Sequence, residues 1–85
     1  MENKVVLSGM VCDSNDDTYL LERPLFFGSV EEALAYAKKQ LNADYGEGTE
    51  YNLFEIAERT EIDGVRFVTA YYEGGIAEYR IDEIN

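Results

Sequence analysis

Val68-Thr69-Ala70-Tyr71-Tyr72-Glu73-Gly74-Gly75-Ile76-Ala77-Glu78-Tyr79-Arg80-Ile81 is the stretch that decides the fold. Two runs rich in β-branched and aromatic residues flank a Gly-Gly pair, a strong short-range signal for a two-residue hairpin. A loop at Gly74-Gly75 predicts Glu73 opposite Ile76, Tyr72 opposite Ala77, Ala70 opposite Tyr79 and Val68 opposite Ile81. One face then carries Val68, Ala70, Tyr72, Ala77, Tyr79 and Ile81 and is apolar throughout. A slip by one residue would turn that whole set to the other face, so the pattern favours this facing.

Upstream, Asp63-Gly64 marks a second turn. A two-residue loop there would put Glu55 and Arg59 on the apolar face. A three-residue loop, Ile62-Asp63-Gly64 with Gly64 left-handed, instead sets Phe54 opposite Tyr72, Ile56 opposite Ala70 and Glu58 opposite Val68. A helix over residues 50–61 is the alternative, since Leu53, Phe54 and Ala57 also fit a helical stripe.

Towards the N-terminus, residues 5–12 read as a strand. The cluster Asp13-Ser14-Asn15-Asp16-Asp17 has turn chemistry, and residues 18–22 read as the returning strand. Pro24 lacks an N–H and is expected to stop regular pairing. Residues 29–43 read as a helix. Ser29 is its N-cap and Glu32 completes a capping box; Glu31 and Glu32 lie in the first turn, and Lys38 and Lys39 nearer the end. Val30, Ala33, Leu34, Ala37 and Leu41 form one apolar stripe. Residues 44–50, with two glycines and three acids, are a loop. The expected architecture is one domain over residues 1–85, of class α+β. It is an antiparallel sheet of four to five strands with one helix packed on one face, in the order β-β-α-β-β-β. At 85 residues such a domain buries only roughly 60–65% of its unfolded surface, so its stability margin is thin.

Eighteen acids face seven bases, giving a net charge of −11 with no histidine. That balance argues against direct binding to nucleic acid or to an anionic membrane, and points to a basic partner. Without histidine and with one cysteine, Cys12, the usual nucleophile pairs and closed zinc sites are excluded. Phosphate-loop and dinucleotide fingerprints are missing, no carboxylate pair stands out as acid and base, and no catalytic, cofactor or metal residue is assigned. Asp13, Asn15 and Asp17 alternate as at the start of a calcium loop, but Thr18 replaces its glycine and Pro24 its final glutamate. A polar turn with at most weak divalent-cation binding is the reading. Cys12 reads as structural, since acidic surroundings would not activate a thiol. The N-terminus lacks the apolar region of a signal peptide, and a lone cysteine needs no oxidising compartment.

The outward face of the C-terminal strands carries Glu55, Ala57 and Arg59, then Phe67, Thr69, Tyr71 and Glu73, then Ile76, Glu78 and Arg80. Tyr71 is expected between Glu55 and Glu78, an aromatic flanked by carboxylates that suits a basic protein surface. Seven acids between residues 44 and 63, including Glu47, Glu50 and Glu55, could merge with Asp13, Asp16 and Asp17 into one negative surface. Carboxylates two apart in a strand lie roughly 7 Å apart, which would suit imitation of a phosphate row. The candidate partner-binding residues are therefore Asp13, Asp16, Asp17, Glu47, Glu50, Glu55, Phe67, Tyr71, Glu73 and Glu78. Residues 76–82 are a candidate edge strand for pairing with a second copy, so the chain is expected to be a monomer or a weak homodimer.

In size and acidity the chain resembles small phage-encoded anti-defence proteins, including anti-CRISPR inhibitors and DNA mimics, and acidic immunity proteins that block nucleases. That resemblance rests on charge and length. It implies a non-enzymatic, stoichiometric inhibitor in the cytoplasm of a bacterial host cell, one that occludes a basic nucleic-acid-binding protein such as a CRISPR effector or nuclease. A small phage or bacterial adaptor without inhibitory role is the alternative.

Overall fold

The structure, a computed structural model, describes residues 4–13 and 18–84. The order is β1 (Val5–Asp13), β2 (Thr18–Phe27), α1 (Val30–Tyr45), β3 (Leu53–Ile62), β4 (Val65–Tyr72) and β5 (Gly75–Glu83). All neighbouring strands are antiparallel, in the spatial order β2-β1-β5-β4-β3. One helix on a five-stranded antiparallel sheet is the expected α+β arrangement.

α1 begins where its cap chemistry says it should. Ser29 is extended, and its Oγ accepts a hydrogen bond from the Glu32 backbone N–H at 3.2 Å. Ala33, Ala37 and Leu41 of the expected stripe are fully buried, and Val30 and Leu34 pack partly buried against them. The helix continues two residues past Ala43, because Tyr45 gains a buried site there. Its ring stacks on Tyr72 at 4.6 Å and contacts Tyr51 at 4.7 Å.

The core lies between α1 and the sheet. Val5, Leu7 and Val11 of β1 join Val68, Ala70, Tyr72, Ala77, Tyr79 and Ile81 beneath the helix. The six residues read as one apolar face are all buried. Their pairing, however, is shifted by two residues from the expectation. Tyr72 lies opposite Gly75, Ala70 opposite Ala77 and Val68 opposite Tyr79, so the turn residues are Glu73 and Gly74. A two-residue shift preserves facing, which is why the core set survives it. The cause is β1. Gly75 lies opposite Asp13, and a Cβ there would sit 2.3 Å from the Cys12 carbonyl oxygen, so the second glycine belongs in the strand. Gly74 supplies the positive φ of the turn, at 111°.

β3 is a strand, and Ile56 opposite Ala70 and Glu58 opposite Val68 are as expected. Phe54 does not face Tyr72. Leu53 does, and Phe54 is the extra residue of a bulge, 65% exposed while Leu53 packs on the core. At the other end Ile62 pairs with Val65 around a two-residue Asp63-Gly64 turn, with Gly64 at φ 83°. Glu61 is bulged there, which restores the register that a three-residue loop would give. Glu58, on the helix side of the sheet margin, is met by Lys38 of α1 in an ion pair.

Two further expectations are corrected. β2 does not stop at Pro24 but runs on to Phe27. β2 is an edge strand, and the missing N–H falls where its register with β1 shifts, between the Leu7–Leu25 and Gly9–Glu22 pairs. Residues 76–82 are not an edge: all of β1 pairs with β5, which leaves β2 and β3 as the edges.

Candidate protein-binding face

α1 covers one face of the sheet and leaves the other open. The register builds that open face in cross-strand rows. One row runs Arg59–Phe67–Arg80–Ser8, the next Ala57–Thr69–Glu78–Met10–Leu20, and the third Glu55–Tyr71–Ile76–Cys12–Thr18. Tyr71 therefore lies between Glu55 and Ile76, not between Glu55 and Glu78. The correction follows from the earlier turn, which moves every β5 residue two places along β4.

The centre of the face is tied together by a polar network around Phe67. Thr69 is 1% exposed although it lies on the open side, because the Arg59 and Glu78 side chains close over it. Its hydroxyl donates to Glu78 Oε2 at 2.7 Å and accepts from Arg59 Nη1 at 3.1 Å. Arg59 also donates to Glu78 Oε2 at 3.0 Å and, through Nε, to Glu61 Oε1 at 2.8 Å. Its guanidinium carbon lies 4.4 Å from the centre of the Phe67 ring. On the other flank, Arg80 is 6.0 Å from that ring and forks onto Asp82 at 2.9–3.0 Å. Hydrogen bonds to Glu61 and Glu78 hold the Arg59 pKa above its ordinary value, and the bond to Asp82 does the same for Arg80. Both arginines stay charged, and both are already committed to carboxylates.

Around this centre the face is apolar. Met10 is 50%, Leu20 61%, Phe26 56% and Tyr71 38% exposed, and all four share the open side with half-buried Val6 and Ile76. Beside Phe67 lies a recess of about 100 Å³ lined by Ser8, Gly9, Met10, Phe67, Glu78 and Arg80. Cys12, a free thiol, is half-buried in the third row.

The expected binding residues separate into groups. Phe67, Tyr71, Glu55 and Glu78 share the open face, but Glu78 is an internal partner of Arg59 and Thr69. Asp13, Glu73 and the 46–52 loop with Glu47 and Glu50 lie at one end of the sheet. There Asn52 Nδ2 donates to Glu73 Oε2 at 3.2 Å, and Asp13 pairs with Gly75. Asp16 and Asp17 lie outside the described residues. The acids between residues 44 and 63 do not form one surface. β3 is ten residues long, about 30 Å, and carries Glu61 and Asp63 to the opposite end. Its open side reads Glu55, Ala57, Arg59, so no carboxylate row follows that strand. Sequence reasoning placed Arg59, Thr69 and Arg80 on the outward face without counting them in the site, and it did not single out Met10, Ser8 or Gly9. The alternation of β1 was the available signal for Met10.

Among the described residues, no three His, Cys, Asp or Glu side chains gather as a metal site, and no helix is long and apolar enough to cross a membrane. Comparison with protein-family models, curated proteins and solved structures finds no match.

Proposed function

We propose that this chain is a non-enzymatic inhibitor that lays its open sheet face against a basic nucleic-acid-binding protein, such as a CRISPR effector or nuclease, and occludes its nucleic-acid site. The observation that carries the reading is the exposed apolar surface (Met10, Leu20, Phe26, Tyr71) around the Phe67 network, on a sheet face bounded at both ends by acids, in a chain of net charge −11. Exposed apolar surface of this kind serves a protein partner, and the acidic margins select a basic one and speed its approach. The same features support the likeness to small acidic phage anti-defence proteins, with the bacterial host cytoplasm as the setting.

The test is biolayer interferometry against purified CRISPR effectors and nucleases, at low and moderate salt. Expected are 1:1 binding, an association rate that falls as salt rises, and displacement by DNA or RNA. Charge reversal at exposed Glu47 and Glu55 should slow association several-fold, whereas Tyr71→Ala should speed dissociation. Binding that ignores both salt and the charge reversals would reject occlusion by charge. It would favour the second reading, an adaptor that docks through the exposed apolar surface alone. That reading draws on the internal pairing of Glu61, Glu78 and Asp82 with Arg59 and Arg80.

A further inference from the structure

We infer that the recess beside Phe67 is the seat for one branched aliphatic side chain of the partner, presented between basic residues. This rests on the reading of the open face as a docking surface for a basic protein and names the contact that anchors it. Three observations lead there.

The first is size. The recess holds about 100 Å³, against the roughly 150 Å³ of an apolar cavity that accepts a benzene ring. A leucine, isoleucine or valine side chain matches this space, whereas an aromatic ring would stand partly out of the open side of the recess. The second is lining. Phe67 and Met10 supply the walls, Gly9 contributes only backbone, and the register of β2 on β1 shifts on both sides of Gly9. Met10 is half exposed and unbranched, a wall that adjusts to the shape of its guest. The charged groups on the recess, Glu78 and Arg80, are of opposite sign and each has its own ion-pair partner. A lysine head would meet Arg80 and a carboxylate would meet Glu78, so an uncharged guest suits the recess, and basic residues flanking that guest answer the net charge of −11.

The third is rigidity. Phe67 is pinned by Arg59, which is itself held by Glu61, Glu78 and buried Thr69. Binding therefore orders little at the centre of the contact, as in interfaces where a few pre-organised pockets carry most of the affinity.

The experiment uses the full chain and synthetic nine-residue peptides. The first alternates lysine and glycine around a central leucine. The second has alanine at the centre, and the third has glutamate in place of lysine. Affinity is read by fluorescence anisotropy, and the site by backbone amide shifts in nitrogen-15 spectra. The lysine–leucine peptide should bind about tenfold more tightly than its alanine counterpart and shift the amides of Ser8, Gly9, Met10 and Phe67. The glutamate peptide should not bind. Ser8→Phe, which fills the recess, should abolish the preference for leucine while leaving the alanine peptide unaffected. Met10→Thr, which removes one apolar wall at a half-exposed site without changing the charge, should do the same.

Equal binding of the leucine and alanine peptides, shifts confined to Glu47, Glu50 and Glu73, or no binding by any peptide would each overturn the seat. The two proposals fail separately. Nucleases captured equally by wild type and Ser8→Phe overturn the seat and leave the inhibitor reading standing. A leucine preference without capture of any basic nuclease supports the seat and rejects the inhibitor.

Discussion

Gly75→Ala is the substitution that tests the register of the sheet. Gly75 opens β5 and lies opposite Asp13 of β1. A Cβ on it would stand 2.3 Å from the Cys12 carbonyl oxygen and 3.0 Å from the Asp13 Cα. A comfortable carbon–oxygen contact is about 3.3 Å, so the ends of β1 and β5 must part by about 1 Å. Overpacking of this kind costs about 1–3 kcal/mol. Loss of one ladder hydrogen bond adds about 1 kcal/mol. The reduced freedom of the unfolded alanine chain gives back about 0.4–1 kcal/mol. The net expectation is a loss of about 1–4 kcal/mol, measured by urea unfolding followed by tyrosine fluorescence and far-ultraviolet circular dichroism. A chain of this length has about 4–13 kcal/mol in total, so the change is easily read. Gly75→Asn supplies the discriminating arm. If Gly75 were a turn residue of positive φ, asparagine would be tolerated better than alanine, because it enters the left-handed region more readily. In the strand, asparagine meets the same carbonyl and gains nothing. An Asn variant more stable than the Ala variant, or an Ala variant within about 0.5 kcal/mol of wild type, would refute the register.

Other expectations follow from the same structure. Leu53→Ala should cost about 1–2 kcal/mol and Phe54→Ala less than about 0.5 kcal/mol in the same unfolding assay, because the bulge turns Leu53 inward and Phe54 to solvent; the reverse ranking would remove the bulge. Tyr45→Ala should destabilise by about 3–5 kcal/mol, since Tyr45 is 6% exposed and stacked on Tyr72; a loss below about 1 kcal/mol would return Tyr45 to a loop. Thr69→Val keeps the shape but removes the hydroxyl between Arg59 and Glu78. It should cost about 1–2 kcal/mol and broaden the Phe67 ring resonances, and unchanged resonances would detach Phe67 from the network.

What makes the open face usable is the division of labour between its two kinds of charge. The acids near Phe67 pair with Arg59 and Arg80, which order the centre, while exposed Glu47 and Glu50 lie at the sheet end. Exposed ion pairs contribute little to stability by themselves. Their effect here is to fix Phe67 at the margin of a small recess. Had sequence charge alone governed the site, Glu78 would have been an exposed contact. It is instead an acceptor shared by two neighbours.

The division between chain and fold can be drawn at particular residues. Periodicity of two or 3.6 was enough to assign the helix, the three C-terminal strands and the core set from Val68 to Ile81, because burial acts on facing and facing repeats locally. Ser29 was legible as a cap because its hydrogen bond spans only three residues. The register within a facing was legible between β3 and β4 but not between β4 and β5. Shifts by two residues leave every side chain on its proper side, and the choice at Gly74-Gly75 was made by β1, some sixty residues earlier in the chain. The bulges at Phe54 and Glu61 were hidden for the same reason, since each preserves the apolar face while changing one partner. Which acids are free and which are paired depends on contacts across strands. Arg59 reaches Glu78 nineteen residues away, and Lys38 reaches Glu58 from the helix. The sequence alone determined a charged, helix-backed antiparallel sheet. The order of its strands, the rows on its open face and the recess beside Phe67 arise only when distant segments compete for the same hydrogen bonds and the same space.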